Sequence, residues 1–215
     1  MTAPATAGGL AHEVLISRVL CLLGWDGMTI VKARALSTAR LVVCALDHAE
    51  HQRRAAEGLV PVVDPLLLRC MCAERPGFLS TAAPVCISGA IAMRQTWRSA
   101  VRNLAGFGAF GARVAVLPAR EAHRLEVAAG AVVEGYGVVA VDDENTPRLI
   151  HHPNMGAIMK SRTWIDCLIE EIVYDAVLAA GNAEYGVTAA TRPPSPAGSP
   201  ADPSRPSSQA GVPRT

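Results

Sequence analysis

The stretch RVAVLPAREAHRLEVAAGAVVEGYGVVAVDDENTPRLI, from Arg113 to Ile150, constrains the fold more than any other part of the chain. It reads as strand, helix, strand, acidic turn and strand. The strand GVVAV ends at Val141, the polar run Asp142-Asp143-Glu144-Asn145 offers side chains that satisfy turn backbone, and Pro147 opens the return strand. The acidic run is expected to serve the turn. Catalytic carboxylates need burial, a charged neighbour or a bound metal, and a solvated turn supplies none of these by itself.

The same alternation extends upstream. AHEVLISRVLCLLG sets Leu15, Val19 and Leu22 on one helical face and stops at Gly24. MTIVKA and ARLVVCAL read as strands, and DHAEHQRRAAEG reads as a helix stopped by Gly58. LVPVVDPLLLRCMCA, interrupted at Asp64, and PVCISGAIAM read as further strands. A helix is expected from about Arg94 to Leu104, with Trp97, Val101 and Leu104 on one face. The glycines of GFGAFG, before a strand, read as a helix terminator. RTWIDCLIEEIVYDAVLAAG is expected to be a helix with Trp164, Leu168, Ile172 and Val173 inward, ending before Gly181. Strands alternating with helices predict an α/β protein, a mixed sheet flanked by helices.

Residues 10–181 are expected to form a single α/β domain, preceded by a flexible N-terminus at 1–9. From Gly186 to Thr215 the chain holds seven prolines and little that fills a core, so a disordered Pro/Ser/Ala-rich tail is expected. No apolar run is long enough to span a bilayer, and MTAPATAGG lacks the basic and apolar parts of a secretory signal, so a cytoplasmic location is expected. Six cysteines lie mostly in apolar runs such as LVVCAL, where a thiol behaves as a small hydrophobe and a disulfide framework is not expected. The net charge of +1 gives no whole-protein attraction to nucleic acid or membrane, so any basic surface must be local. Eighteen arginines stand against two lysines, Lys32 and Lys160.

That imbalance bears on a resemblance. WRSAVRNLAGFGAFGARVAVLP followed by YGVVAVDDENTPRLIHHP, residues about 94 to 152, resembles the C-terminal half of the PD-(D/E)XK, or restriction-endonuclease-like, superfamily. The resemblance implies a helix after the catalytic strand, a strand ending in V-x-L-P, a second helix, and a strand of Y-G-V-x-x-V-D type. It further implies an acid ending one strand and E-x-K on the next, with two carboxylates holding Mg²⁺ and the lysine steadying the attacking water. By order of elements Asp64 is the weak candidate for the first acid and Glu13 for an auxiliary one. The next strand departs from the pattern. It offers Cys86, Ile87, Ser88 and Gly89 where Glu and Lys belong, with Arg94 and Gln95 beyond, and no lysine occurs between Lys32 and Lys160. Arginine is a poor replacement for a compact ammonium that positions water. The resemblance therefore implies a degenerate nuclease-like core; Mg²⁺ enters only if a nuclease with rearranged ligands survives, and no other cofactor is expected.

Arg94, Arg98 and Arg102, at i, i+4 and i+8, are expected to form a basic stripe able to contact successive phosphates, or else an ordinary solvated face. Asp47, His48, Glu50 and His51 have spacings that meet on a helix, CMC puts Cys70 and Cys72 on one side of a strand, and His151 and His152 close another; none of these offers a full ligand set. Ser88 lacks a G-x-S-x-G frame, and no phosphate-binding loop is present. Three functional expectations follow: a non-catalytic DNA-associated protein, a protein-interaction or regulatory scaffold whose Pro-rich tail contacts partners, and a metal-dependent nuclease.

Overall fold

The computed structural model describes residues 7–36, 38–154 and 161–184, so the expected tail and Lys160 lie outside the described residues. The elements run α1 (Ala7–Leu22), β1 (Thr29–Ala35), β2 (Thr38–Leu46), α2 (His48–Glu57), α3 (Pro65–Glu74), β3 (Val85–Met93), α4 (Trp97–Leu104), β4 (Ala112–Pro118), α5 (Ala119–Ala122), α6 (Leu125–Glu134), β5 (Tyr136–Val141), β6 (Pro147–His151) and α7 (Trp164–Glu184).

The six strands make one mixed sheet in sequence order. β1, β2 and β3 form an antiparallel meander. β3, β4 and β5 are parallel because each link carries a helix long enough to return the chain to the starting edge. β6 turns back antiparallel over the acidic hairpin. The central strands are apolar on both sides, with Tyr136 to Ala140 all buried, as a sheet covered on two faces requires. On one face Leu15, Val19 and Trp25 pack on Val43, Ile91, Val114, Val116 and Val139. On the other, Leu104, Phe107, Val127, Ala131, Val173 and Tyr174 pack on Val42, Ala92, Ala115 and Val138.

A close approach holds β3 against β4. A methyl at Gly89 would lie 2.6 Å from the Ala112 carbonyl oxygen and 2.7 Å from the Trp25 indole, so only glycine fits there without a shift. Ser88 is the extra residue of a bulge at this point, since Val43 faces Gly89 while Cys44 faces Ile87. Gly106, at φ 76°, takes the chain out of α4 in a conformation that side chains resist.

Three expectations need correction. Residues 65–74 are the helix α3 and not a strand; Asp64 caps it and Pro65 sits in its first turn, a helix start that outweighs the apolar run. Cys70 and Cys72 therefore do not share one side of a strand. α4 begins at Trp97, because Thr96 caps it by accepting the Ser99 N–H at 3.3 Å, which leaves Arg94 outside the helix. α7 continues through Gly181, and its buried residues are Asp166, Cys167, Ile169, Glu171, Val173 and Tyr174, so Trp164, Leu168 and Ile172 are only half-buried. Three of the cysteines, Cys21, Cys70 and Cys86, are exposed, and all six are free thiols.

Candidate nucleic-acid interface

At the carboxyl ends of β3, β4 and β5 the chain leaves the sheet three times, and a crevice of about 1020 Å³ opens between those exits and α1. In open α/β sheets this edge is the usual ligand position. Arg94 and Gln95 line it after β3, Arg120 after β4, Asp142 and Asp143 after β5, and His12 from α1. The Arg94 backbone N–H donates to the Val116 carbonyl at 3.0 Å, which ties this exit to β4. Its guanidinium donates to the Met93 carbonyl at 3.0 Å.

α4 starts beside the crevice and runs back along the sheet. Arg98 and Arg102 lie one turn apart on its exposed side, while Leu104 is buried and Trp97 and Val101 are half-buried. The basic set is therefore two residues of one helix face plus Arg94 at the strand exit, not one continuous stripe. No ion pair reaches Arg94, Arg98, Arg102 or Arg120 among the described residues. Glu121 is turned elsewhere: it accepts the Trp97 N–H at 2.8 Å, and that bond is the main reason its carboxyl lies below the usual range.

A further signal was present in the sequence. Between Glu74 and Glu121 there are six arginines and no acidic residue, whereas the rest of the chain carries more acids than bases. A near-zero total hides this division. The span from β3 to β4 holds four of the six, Arg94, Arg98, Arg102 and Arg113, with Arg75 at the end of α3 and Arg120 in α5.

The acidic run is built as a turn: Asp142 Oδ1 accepts the Glu144 and Thr146 N–H groups at 3.1 and 2.8 Å, and Asn145 adopts φ 58°. It also forms the far wall of the crevice, two strand spacings or about 10 Å from the β3 exit.

Asp64 does not end a strand. Its Oδ1 accepts the Leu66 and Leu67 N–H groups at 2.8 and 3.0 Å at the start of α3. Asp64→Ala is expected to lower stability by about 1 kcal/mol, the ordinary worth of an N-cap, as read by urea unfolding. Glu13 is exposed on α1. Besides Asp142 after β5, Asp47 follows a strand directly; it caps α2 and lines a smaller cavity of about 520 Å³ with Cys86, Arg162, Asp166 and Glu170. Burial pushes the Glu170 carboxyl up and the adjoining Arg162 guanidinium pulls it down, with burial the larger effect.

His51 Nδ1 is in hydrogen-bond contact with Tyr174 Oη at 2.9 Å, while His48 is exposed. Among the described residues no group of three His, Cys, Asp or Glu side chains is placed to hold a metal ion. Among the same residues no helix is long and apolar enough to cross a membrane. Comparisons with family models, curated proteins and solved structures find no match to this chain.

Proposed function

We propose that the protein binds the phosphate backbone of nucleic acid through Arg94, Arg98 and Arg102, with Arg120 beside them, and that it does so without cleaving it. The observation that carries this reading is the acid-free span from β3 to β4, in which Arg94 lines the crevice at the strand exits, Arg98 and Arg102 lie exposed along α4, and none of the three has a carboxylate partner among the described residues. Guanidinium groups spaced along a helix and a strand exit suit successive phosphates, and such contacts carry no sequence preference. The run of elements from β3 onward, a helix, a strand ending Leu117-Pro118, helices, and the strand Tyr136–Val141, agrees with a nuclease-like core. The positions where the resemblance expects E-x-K hold Cys86, Ile87, Ser88 and Gly89, which supports a binding role.

Changing Arg94, Arg98 and Arg102 together to Gln is expected to weaken binding to duplexes of unrelated sequence by similar factors. It should also flatten the slope of log K against log salt by about 2.7, or roughly 0.9 per lost phosphate contact. Fluorescence anisotropy at several salt concentrations reads both. An unchanged slope in the triple variant would remove these residues from the interface.

A second reading, a protein-interaction scaffold, is favoured by the exposed aliphatic run before and within α3. Val60 and Leu66 are 74% and 72% exposed, and Leu59, Val63 and Leu67 lie beside them.

A further inference from the structure

The charges lining the crevice are ordered. Across the carboxyl edge of the sheet, at one strand spacing of about 4.8 Å per step, the β3 exit carries Arg94, the β4 exit Arg120, and the β5 exit Asp142 and Asp143. Two cations are thus followed by two carboxylates, over a floor that includes the half-buried Met93 and Val141. Asp142 is committed to its turn through Oδ1. Asp143 is exposed, and its carboxylate has no hydrogen bond or ion pair among the described residues.

This order does not suit a backbone that runs straight through. On the reading proposed above, phosphates lie on Arg102, Arg98 and Arg94, with Arg120 beside the last, so α4 leads the strand into the crevice. A further phosphate would meet the two carboxylates, and that repulsion opposes the gain from the arginines. A sugar hydroxyl in the same place is favourable instead. It donates a hydrogen bond that an ionised carboxylate accepts, and such charge-assisted bonds are the stronger kind. Pockets that hold a small organic ligand run to on the order of 300–1,000 Å³, and a crevice of about 1020 Å³ suits one terminal nucleotide.

We infer that the crevice is an end-binding site. It takes the last nucleotide of a nucleic-acid strand, with its phosphate on Arg94 beside Arg120 and its terminal sugar hydroxyl on Asp143. The inference rests on backbone binding through the same arginines and adds which part of the strand enters the crevice. A free hydroxyl can stand at the 3′ or the 5′ end, and the two share this chemistry.

Fluorescence anisotropy of the full chain with a short, internally labelled single-stranded DNA tests this and tells the ends apart. The strand is used in four forms: hydroxyl at both ends, phosphate at the 3′ end, phosphate at the 5′ end, and circularised. A phosphate at the recognised end, or circularisation, is expected to weaken binding by about tenfold or more. Asp143→Asn keeps the shape of an exposed turn residue and removes its charge. It should reduce the hydroxyl-to-phosphate ratio to about twofold or less, with the salt dependence retained. A nucleoside monophosphate offers nothing to Arg98 and Arg102, so it should compete only at concentrations at least about tenfold above those of the strand. Equal competition would overturn the strand end in favour of a free nucleotide. Salt-dependent binding that is equal for all four forms would overturn the inference and leave backbone binding in place. A preference for the hydroxyl end that persists in Asp143→Asn would put end recognition elsewhere and overturn it as well. No binding of any form at low salt would overturn both.

Discussion

Glu171→Leu is expected to lower the unfolding free energy by about 3–5 kcal/mol, the cost of removing one partner from a buried ion pair. Glu171 is 3% exposed. Its Oε1 pairs with Arg54 Nη1 at 2.8 Å, and its Oε2 accepts the Val62 N–H at 3.0 Å. Arg54 is itself buried, reaches Glu50 through Nε at 2.8 Å, and lies over the Tyr174 ring. The chain Glu50–Arg54–Glu171 thus fastens α2 to α7 and holds the irregular segment at Val62. Removing Glu171 takes one of two carboxylates from the buried Arg54 guanidinium and leaves the Val62 N–H without its acceptor. Replacing Arg54 as well, by Met, should recover part of the loss, because two apolar groups need no partner. A change under about 1 kcal/mol in urea unfolding of Glu171→Leu would mean that water replaces the pair at little cost.

The same cluster makes stability fall in acid. Hydrogen bonds from Arg53, followed by those from Arg54, hold the Glu50 carboxyl at about 2, against an ordinary 4.5, despite its burial. A carboxyl depressed in the folded state stabilises above its unfolded value and loses that contribution as pH falls through its folded one. The contribution of Glu50 is therefore complete above about 4.5 and disappears toward 2.

Trp25→Ala is the second large effect, expected at about 3–5 kcal/mol for a buried aromatic cut to a methyl. Trp25 is 3% exposed and closes the gap between α1 and β1 over the sheet. Its indole occupies the space left by Gly89, so the two positions are coupled. Gly89→Ala alone should cost about 1–3 kcal/mol through overpacking against the indole and the Ala112 carbonyl. With Trp25 already Ala, the indole part of that clash is gone, and the double variant should lose less than the sum of the singles. Additive losses would show that the Ala112 carbonyl alone sets the cost at Gly89.

The sequence-level reading succeeded where local chemistry and tertiary packing agree. The central strands around Val114 and Val138 are apolar because both faces are covered, and their flanking turns carry Pro147 and Gly135, so pattern and punctuation coincide. It failed at 65–74, where an apolar run suggested a strand although Asp64-Pro65 is a helix start. On α7 it named Val173 and Ile172, which do meet the core, but not the buried Asp166 and Glu171. Each is buried by a partner distant or local, Arg54 for Glu171 and the Thr163 N–H and hydroxyl for Asp166, and periodicity carries no information about such pairing.

The candidate interface was legible in part. Arg94, Arg98 and Arg102 could be read as a basic group, but spacing alone does not mark Thr96 as the cap that leaves Arg94 outside the helix and in the crevice. Arg120 could not be joined to them from spacing alone. It lies far along the chain and comes near only because β4 runs parallel to β3. The absence of acids between Glu74 and Glu121 was readable throughout and is the strongest charge signal in the chain.

The central claim is that this acid-free unit binds a phosphate backbone, and the salt dependence of duplex binding by the unaltered chain tests it most directly. With Arg94, Arg98 and Arg102 each on one phosphate, log K should fall against log salt with a slope of about −2.7, steepening toward about −3.6 if Arg120 joins them. The slope should be the same for unrelated sequences, and no strand breaks should accumulate with Mg²⁺ present. A slope near zero, or no binding at low salt, would contradict the account.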